Sequence, residues 1–356
     1  MKRLLSTMAI MLLSFAFIFA QGAKEGTTAE ESGESFTFTD DLGRIFTFDG
    51  PIERIAPSGN LAQMILYSLA KDEMVGLSSY LDESALRFLD EKTNDLPLFG
   101  TFYGKKANLN REAVILEYPD VVIDMGEIKG DAKNTIDDLD TLTEQLNIPV
   151  VFIECYLDNT ADAYRRLGEL LGCEDEAEIR AEYAERAINT AHGLREKITE
   201  PVRVYYSSMP DPLSAIATGS FHGEVIEKVG CTNVVPASFS DGGNMISLEQ
   251  VILWDPDVIL LADRNAYDTV TSDPSWQGMK AVRENRVYLI PTKPFSFIDS
   301  PPSVNRIIGI YWLGCLLYPD VYGEIDLKEE VKEFYSLFYG YELNDMEVEE
   351  LLAVQP

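Results

Sequence analysis

Histidine is nearly missing from this chain: there are two in 356 residues. That scarcity excludes a histidine-rich metal centre. Basic residues are also scarce, with 29 Lys and Arg against 60 Asp and Glu, a formal net charge of −31. So acidic a surface repels phosphate backbones and anionic membranes, which sets nucleic-acid binding aside. The four cysteines, Cys155, Cys173, Cys231 and Cys315, show no paired spacing and read as buried, inert thiols, although export would permit a disulfide. There is no Gly-x-Gly-x-x-Gly, no phosphate-loop Gly-Lys-Ser/Thr and no Gly-x-Ser-x-Gly elbow. The chain therefore reads as no enzyme and calls for no cofactor.

Long apolar runs are equally rare. The one near membrane-spanning length runs from Leu4 to Ala20, behind Lys2 and Arg3 and ahead of Ala20-Gln21-Gly22. Residues 1–22 read as a signal peptide, with an uncleaved anchor as the alternative. No cysteine follows for lipid attachment. Export to the periplasm, or to the outer face of the cytoplasmic membrane, is the expectation.

What is present is a repeat. Leu109-Asn110-Arg111-Glu112-Ala113-Val114-Ile115-Leu116-Glu117-Tyr118-Pro119-Asp120-Val121-Val122-Ile123 returns 137 residues later as Ile246-Ser247-Leu248-Glu249-Gln250-Val251-Ile252-Leu253-Trp254-Asp255-Pro256-Asp257-Val258-Ile259-Leu260. Each copy reads as a short helix, a Pro-Asp turn and a buried strand. Asn110 and Ser247 read as helix caps, which puts Glu112 and Glu249 in the first turn of their helices. A dipole role alone would account for an acid there. The alternative is a pair of equivalent acids, one per lobe, facing a pseudo-symmetric partner.

Around the repeat the chain alternates strand and helix, the pattern of parallel-sheet α/β. The predicted organisation is a tether at 23–35, an N-terminal α/β lobe at 36–158, a linking helix at 159–199 and a C-terminal α/β lobe at 200–356. Phe36–Thr39 and Ile45–Phe48 predict a hairpin. Asn60, with Gln63 three residues on, predicts a capped helix from Leu61. Gly172 is expected to break the helical stretch, whose second part is long enough to run between lobes. Ile307–Leu317 is a buried helix, too short to span a bilayer.

Together, Arg54-Ile55-Ala56-Pro57-Ser58, the two repeat units, and Trp276-Gln277-Gly278-Met279-Lys280-Ala281-Val282 before Asn285-Arg286-Val287-Tyr288 carry a family resemblance. From about Phe36 onward the chain resembles the periplasmic substrate-binding proteins of ABC importers for iron-siderophores, haem and cobalamin, of the helical-backbone class. The resemblance implies two similar α/β lobes, a long backbone helix and a ligand cleft between the lobes. It also implies a monomer that delivers its ligand to an ABC permease dimer. In that family one glutamate per lobe docks on permease arginines, and the matching positions are Glu112 and Glu249.

Ligands of open α/β lobes sit beyond the carboxyl ends of the strands. The loops expected there nominate Ser58, Asn60, Phe102, Tyr103, Lys105, Lys129, Ser208, Phe221, His222, Arg264, Tyr267, Phe295 and Phe297 for ligand contact. Aromatic rings and isolated cations suit a flat, partly anionic chelate. A ferric siderophore is the expected cargo, with haem or a corrinoid as alternatives. A bare metal-ion receptor lacks ligands, since only His222 lies near the predicted cleft and His192 falls on the linking helix.

Overall fold

The computed structural model describes residues 35–102, 107–128, 131–239, 244–299 and 301–353. The signal segment and the tether through residue 34 lie outside them, as do Tyr103, Lys105 and Lys129.

The first lobe opens with the predicted hairpin. β1 (Phe36–Thr39) and β2 (Ile45–Phe48) pair antiparallel with Phe36 opposite Phe48. Asp40 closes the turn, accepting from the Leu42 and Arg44 N–H groups at 3.1 and 2.9 Å. There follow β3 (Ile55–Pro57), α1 (Asn60–Ala70), α2 (Glu83–Leu86), α3 (Arg111–Leu116), β4 (Val121–Gly126), α4 (Ala132–Leu146) and β5 (Val150–Glu154). Three strands form a parallel sheet in the order β3-β4-β5, with Ile55 opposite Val121 and Val122 opposite Val150. All six residues of β4 are buried, which is why its sequence is a run and not an alternation.

The helical stretch is a hairpin of α5 (Thr160–Leu171) and α6 (Glu174–Arg195), packed along their length. Gly172 breaks it as expected, in the left-handed conformation at φ 69°. At Gly168 the helices come so close that an added Cβ would lie 2.6 Å from the Ala177 Cβ. At about 1.5 Å per residue, the 22 residues of α6 measure about 33 Å. A buried stripe of Ala177, Ala181, Ala184, Ala187 and Ala191 lets neighbours approach closely. Near its start, Arg180 Nε donates to the Ser68 carbonyl of α1; farther on it packs against the second lobe.

That lobe holds β6 (Arg203–Ser207), β7 (Ser214–Ala215), α7 (Glu224–Lys228), β8 (Thr232–Asn233), β9 (Asn244–Met245), α8 (Leu248–Trp254), β10 (Val258–Leu261), α9 (Arg264–Ser272), α10 (Lys280–Arg283) and β11 (Val287–Leu289). Its sheet runs β11-β10-β6-β7-β9, with β8 also paired to β6. β11, β10, β6 and β8 are parallel, whereas β7 and β9 are antiparallel additions of two residues each.

Four helices close the chain: α11 (Asn305–Leu317), α12 (Pro319–Tyr322), α13 (Leu327–Tyr339) and α14 (Asp345–Leu351). α11 is buried nearly throughout, and its Gly309 backbone lies against the Phe297 carbonyl, where an added Cβ would sit 1.7 Å away. α13 returns to the first lobe: it packs on α1, and Phe338 meets the edge of Tyr164 with ring centroids 5.9 Å apart. Arg87 pairs with Glu347 of α14 at 3.1 Å. One continuous apolar core thus joins both lobes. Among the described residues no helix is long and apolar enough to cross a membrane. All four cysteines are free, and burial pushes the Cys155 thiol up to about 11 and Cys231 up to about 12.

Candidate functional site: the cleft between the lobes

Both sheets send the carboxyl ends of their strands to one cleft. Two of its cavities meet at Asn60. The smaller, about 220 Å³, is lined by Ser58, Gly59, Thr101, Asp124, Gly126 and Glu127 of the first lobe and by Phe221 and His222 of the second. The larger, about 360 Å³, lies between Ser79, Tyr80 and Asp82 on one side and Ser208, Asp263, Lys293, Phe295 and Ser296 on the other.

Asn60 departs from its expected role. α1 is entered through Gly59 in extended conformation, with no side chain capping it. Asn60 Oδ1 instead accepts from the Ser78 and Ser79 hydroxyls at 2.9 and 2.8 Å. Gln63 serves that same turn, its Oε1 accepting from the Ser78 N–H at 2.6 Å. Oriented in this way, Asn60 keeps its NH₂ edge as a donor. Gly59, Asn60 and Leu61, at the partly positive amino end of α1, line the smaller cavity. Ser58 is buried and donates to Asp124 on β4.

His222 is held from behind. Its Nδ1–H donates to Asp299 Oδ1 at 2.8 Å, and the Asp299 N–H donates to Ser296 Oγ at 3.2 Å. The hydrogen bond and negative charge of Asp299 raise the imidazole pKa against the opposing effect of burial. With Nδ1 engaged, Nε2 is the nitrogen left for the cavity. The neighbouring Phe221 ring is fixed by the Arg306 guanidinium 4.5 Å from its centroid and by the edge of Tyr156 at 6.0 Å. Arg306 is itself in a close ion pair with Glu224, which also accepts from the Leu157 N–H of the first lobe at 3.2 Å.

In the larger cavity Lys293 crosses between lobes, donating to Ser84 Oγ and lying 4.0 Å from Asp82 Oδ1. The acids nearby are occupied with helix ends. Asp82 accepts from the Ser84 and Ala85 N–H groups at 2.8 and 3.0 Å, and Asp263 from the Asn265 N–H at 2.7 Å. What the cleft presents is therefore a mixture: the Asn60 amide, the His222 imidazole, the Lys293 ammonium and the amino end of α1 as donors, with the carboxylates of Asp124 and Glu127 on the wall of the smaller cavity. Such a lining offers hydrogen bonds of both kinds to a small polar group. Among the described residues, no group of three or more His, Cys, Asp and Glu could hold a metal ion.

Of the sequence candidates, Ser58, Asn60, Ser208, Phe221, His222 and Phe295 line these two cavities. Phe102 and Phe297 do not. Both are buried in the core, Phe102 in the first lobe and Phe297 edge-on to Trp312 with centroids 6.4 Å apart. Arg264 pairs with Asp268 at 2.9 Å and lines an adjoining cavity of about 510 Å³, which shares Thr292 and Lys293 with the larger one and reaches α14. Tyr267 packs on the second-lobe core and lines neither cavity. Tyr103, Lys105 and Lys129 fall outside the described residues. Sequence reasoning missed Lys293 and Asp299. Lys293 stands two residues before the nominated Phe295, and Asp299 two residues after the nominated Phe297.

Comparison with known proteins places this arrangement. A family profile described as "Periplasmic binding protein" matches residues 82–294. The molybdate-binding protein MolA of Haemophilus influenzae is 25% identical over 334 residues, covering 85% of this chain and 90% of that protein. An ABC transporter solute-binding protein from Sulfurospirillum deleyianum superposes with a TM-score of 0.81 at 28% identity, over 88% of this chain and 98% of that one. A periplasmic solute-binding protein from Veillonella parvula shares the fold with a TM-score of 0.72 at 24% identity, over 89% and 96%.

Proposed function

The chain belongs to the periplasmic binding protein family, and from that premise we propose that it carries a small oxyanion of the molybdate class to an ABC importer. It binds in the interlobe cleft and does so outside the cytoplasmic membrane, without turnover. The observation that carries this reading is His222, which Asp299 holds at 2.8 Å toward a cavity of about 220 Å³, beside Asn60 and the amino end of α1 and across from the carboxylates of Asp124 and Glu127. A tetrahedral dianion wants hydrogen-bond donors and nearby positive charge, in a space of this size. The likeness to a molybdate-binding relative supports the same choice.

The ferric siderophore, haem or corrinoid expected from the loops has less support. Phe102 and Phe297 are core residues, and Arg264, on the adjoining cavity, is paired with Asp268. One observation keeps a metal chelate as the second reading: Tyr80, 57% exposed, offers a ring at the larger cavity.

Delivery requires docking, and Glu112 and Glu249 are the groups proposed for it. They stand at the same point of the repeated helices α3 and α8, in the first turn of each. Asn110 Oδ1 accepts from the Ala113 N–H at 3.2 Å, and Ser247 Oγ from the Gln250 N–H at 3.2 Å; hydrogen bonds from its own backbone N–H and from Ser247 hold the Glu249 carboxyl below its usual range, so it stays charged at the helix start.

Equilibrium dialysis of the purified protein against molybdate, tungstate, a ferric siderophore, haemin and cobalamin, followed by elemental analysis, tests the cargo. Retention of one molybdenum or tungsten per chain is expected. Retention of iron or cobalt alone sinks the oxyanion reading and promotes the chelate.

A further inference from the structure

The two repeat units also expose the same apolar side chains. Leu116 is 70% exposed and Leu253 is 77% exposed, and they are equivalent positions 137 residues apart. Their neighbours Ile115 and Ile252, also equivalent, are 42% and 48% exposed. Val114 and Val251, one position earlier, are fully buried in both lobes. Each helix therefore turns valine inward and the next two residues outward.

Single exposed apolar residues are ordinary on a protein surface. This set is not scattered. Among the described residues eleven large hydrophobic side chains are exposed, and five of them, Ile115, Leu116, Tyr118, Ile252 and Leu253, belong to these two short units. In each unit the leucine follows the glutamate by four residues, so acid and leucine share one helix face. A solvated helix end needs no leucine, and still less the same leucine twice.

We infer that Leu116 and Leu253, each one helical turn beyond its docking glutamate, form the apolar half of that docking face. The inference rests on the docking reading above and adds to it the apolar half of the contact. Equal chemistry at equivalent positions on two lobes is met by a partner that offers the same patch twice, which a homodimer does by construction. The occupant is the membrane permease dimer of the same importer. Each of its subunits presents a cation to the glutamate and an apolar socket to the leucine. Burial of the leucines supplies affinity, while the glutamates supply register and salt dependence.

The test measures binding of the full chain to the purified permease dimer of the same transporter in nanodiscs, at two salt concentrations. Leu116→Ser, Leu253→Ser, their double variant and the Glu112→Gln/Glu249→Gln pair are compared, each checked by circular dichroism and by cleft-ligand affinity. Each leucine variant is expected to weaken docking by a similar factor, on the order of tenfold, with salt dependence retained. The glutamine pair is expected to weaken docking and flatten its salt dependence. Leucine variants that bind like wild type, while the glutamine pair does not, overturn this inference and leave the docking reading standing. One costly leucine and one silent leucine overturn the equivalence of the two leucines. Wild-type protein that does not bind, or binding that no variant alters, overturns both.

Discussion

Arg203 does in the second lobe what Arg54 does in the first. Arg54 Nε donates to the Glu117 carbonyl at 2.9 Å, and Arg203 Nη2 donates to the Trp254 carbonyl at 2.5 Å. Glu117 and Trp254 are equivalent residues of the repeat. The backbone N–H of each arginine donates to the aspartate of its Pro-Asp turn, Asp120 at 2.9 Å and Asp257 at 3.1 Å. Each aspartate N–H returns a bond to the arginine carbonyl at 2.8 Å. Each lobe thus ties its first parallel strand to the end of its repeated helix by the same device. The turns match as well, since Tyr118 and Asp255 both take left-handed backbone, at φ 46° and 42°.

Because the two ties are alike, they should cost alike. Arg54→Ala and Arg203→Ala are each expected to lower stability by about 1 kcal/mol, the net worth of hydrogen bonds at partly exposed positions. They lie in different lobes, so the double variant should be additive within about 0.5 kcal/mol. Urea unfolding measures both quantities. A loss in one lobe only would show that the ties are not equivalent.

Ligand binding should depend on His222 protonation. Asp299 raises the imidazole pKa, so the charged form persists above the ordinary value of about 6.5. Oxyanion affinity should be high below the raised pKa and fall as pH rises through it. Asp299→Asn removes the cause and should move that fall to lower pH. The stability sign is the same: the His222–Asp299 contribution is complete below the unfolded-state pKa and lost as pH rises through the folded one. Affinity titrated from pH 5.5 to 9 in wild type and Asp299→Asn checks this, and identical profiles would remove His222 from the site.

Phe297 should behave as a core residue. Phe297→Ala is expected to cost about 3–5 kcal/mol through the cavity it leaves, with ligand affinity of the folded fraction unchanged. Gly309→Ala should be at least as damaging, because its Cβ would meet the Phe297 carbonyl within a chain that cannot yield. Thermal unfolding and a ligand titration on the same samples separate the two effects. Lost affinity without lost stability would return Phe297 to the cleft.

Glu112→Lys with Glu249→Lys should abolish uptake in cells and leave ligand affinity intact. Uptake that survives the double reversal would show that docking uses another surface.

The sequence carried the parts of the fold that are local or repeated. The β1–β2 hairpin shows as a two-residue alternation around a turn, the α5–α6 break as a glycine, and the twin units as plain similarity. The two-residue strands β7 and β9 leave no such mark, because nothing in a pair of residues has a period. Asn60 was misread for a related reason. A polar residue before an apolar helix looks like a cap, and only the fold brings Ser78 and Ser79 to its carbonyl. The site suffered most. Phe295 and Phe297 are two residues apart in one loop, yet one lines a cavity and the other packs on Trp312. Asp299 lies 77 residues from His222, so the pair that charges the cleft has no local signal.

The most direct measurement is a calorimetric titration of the protein with molybdate, set beside a ferric siderophore, haemin and cobalamin. The account predicts tight one-to-one binding of molybdate, weakened in His222→Ala, with little heat from the larger chelates. Silence toward molybdate together with one-to-one binding of a chelate would contradict it.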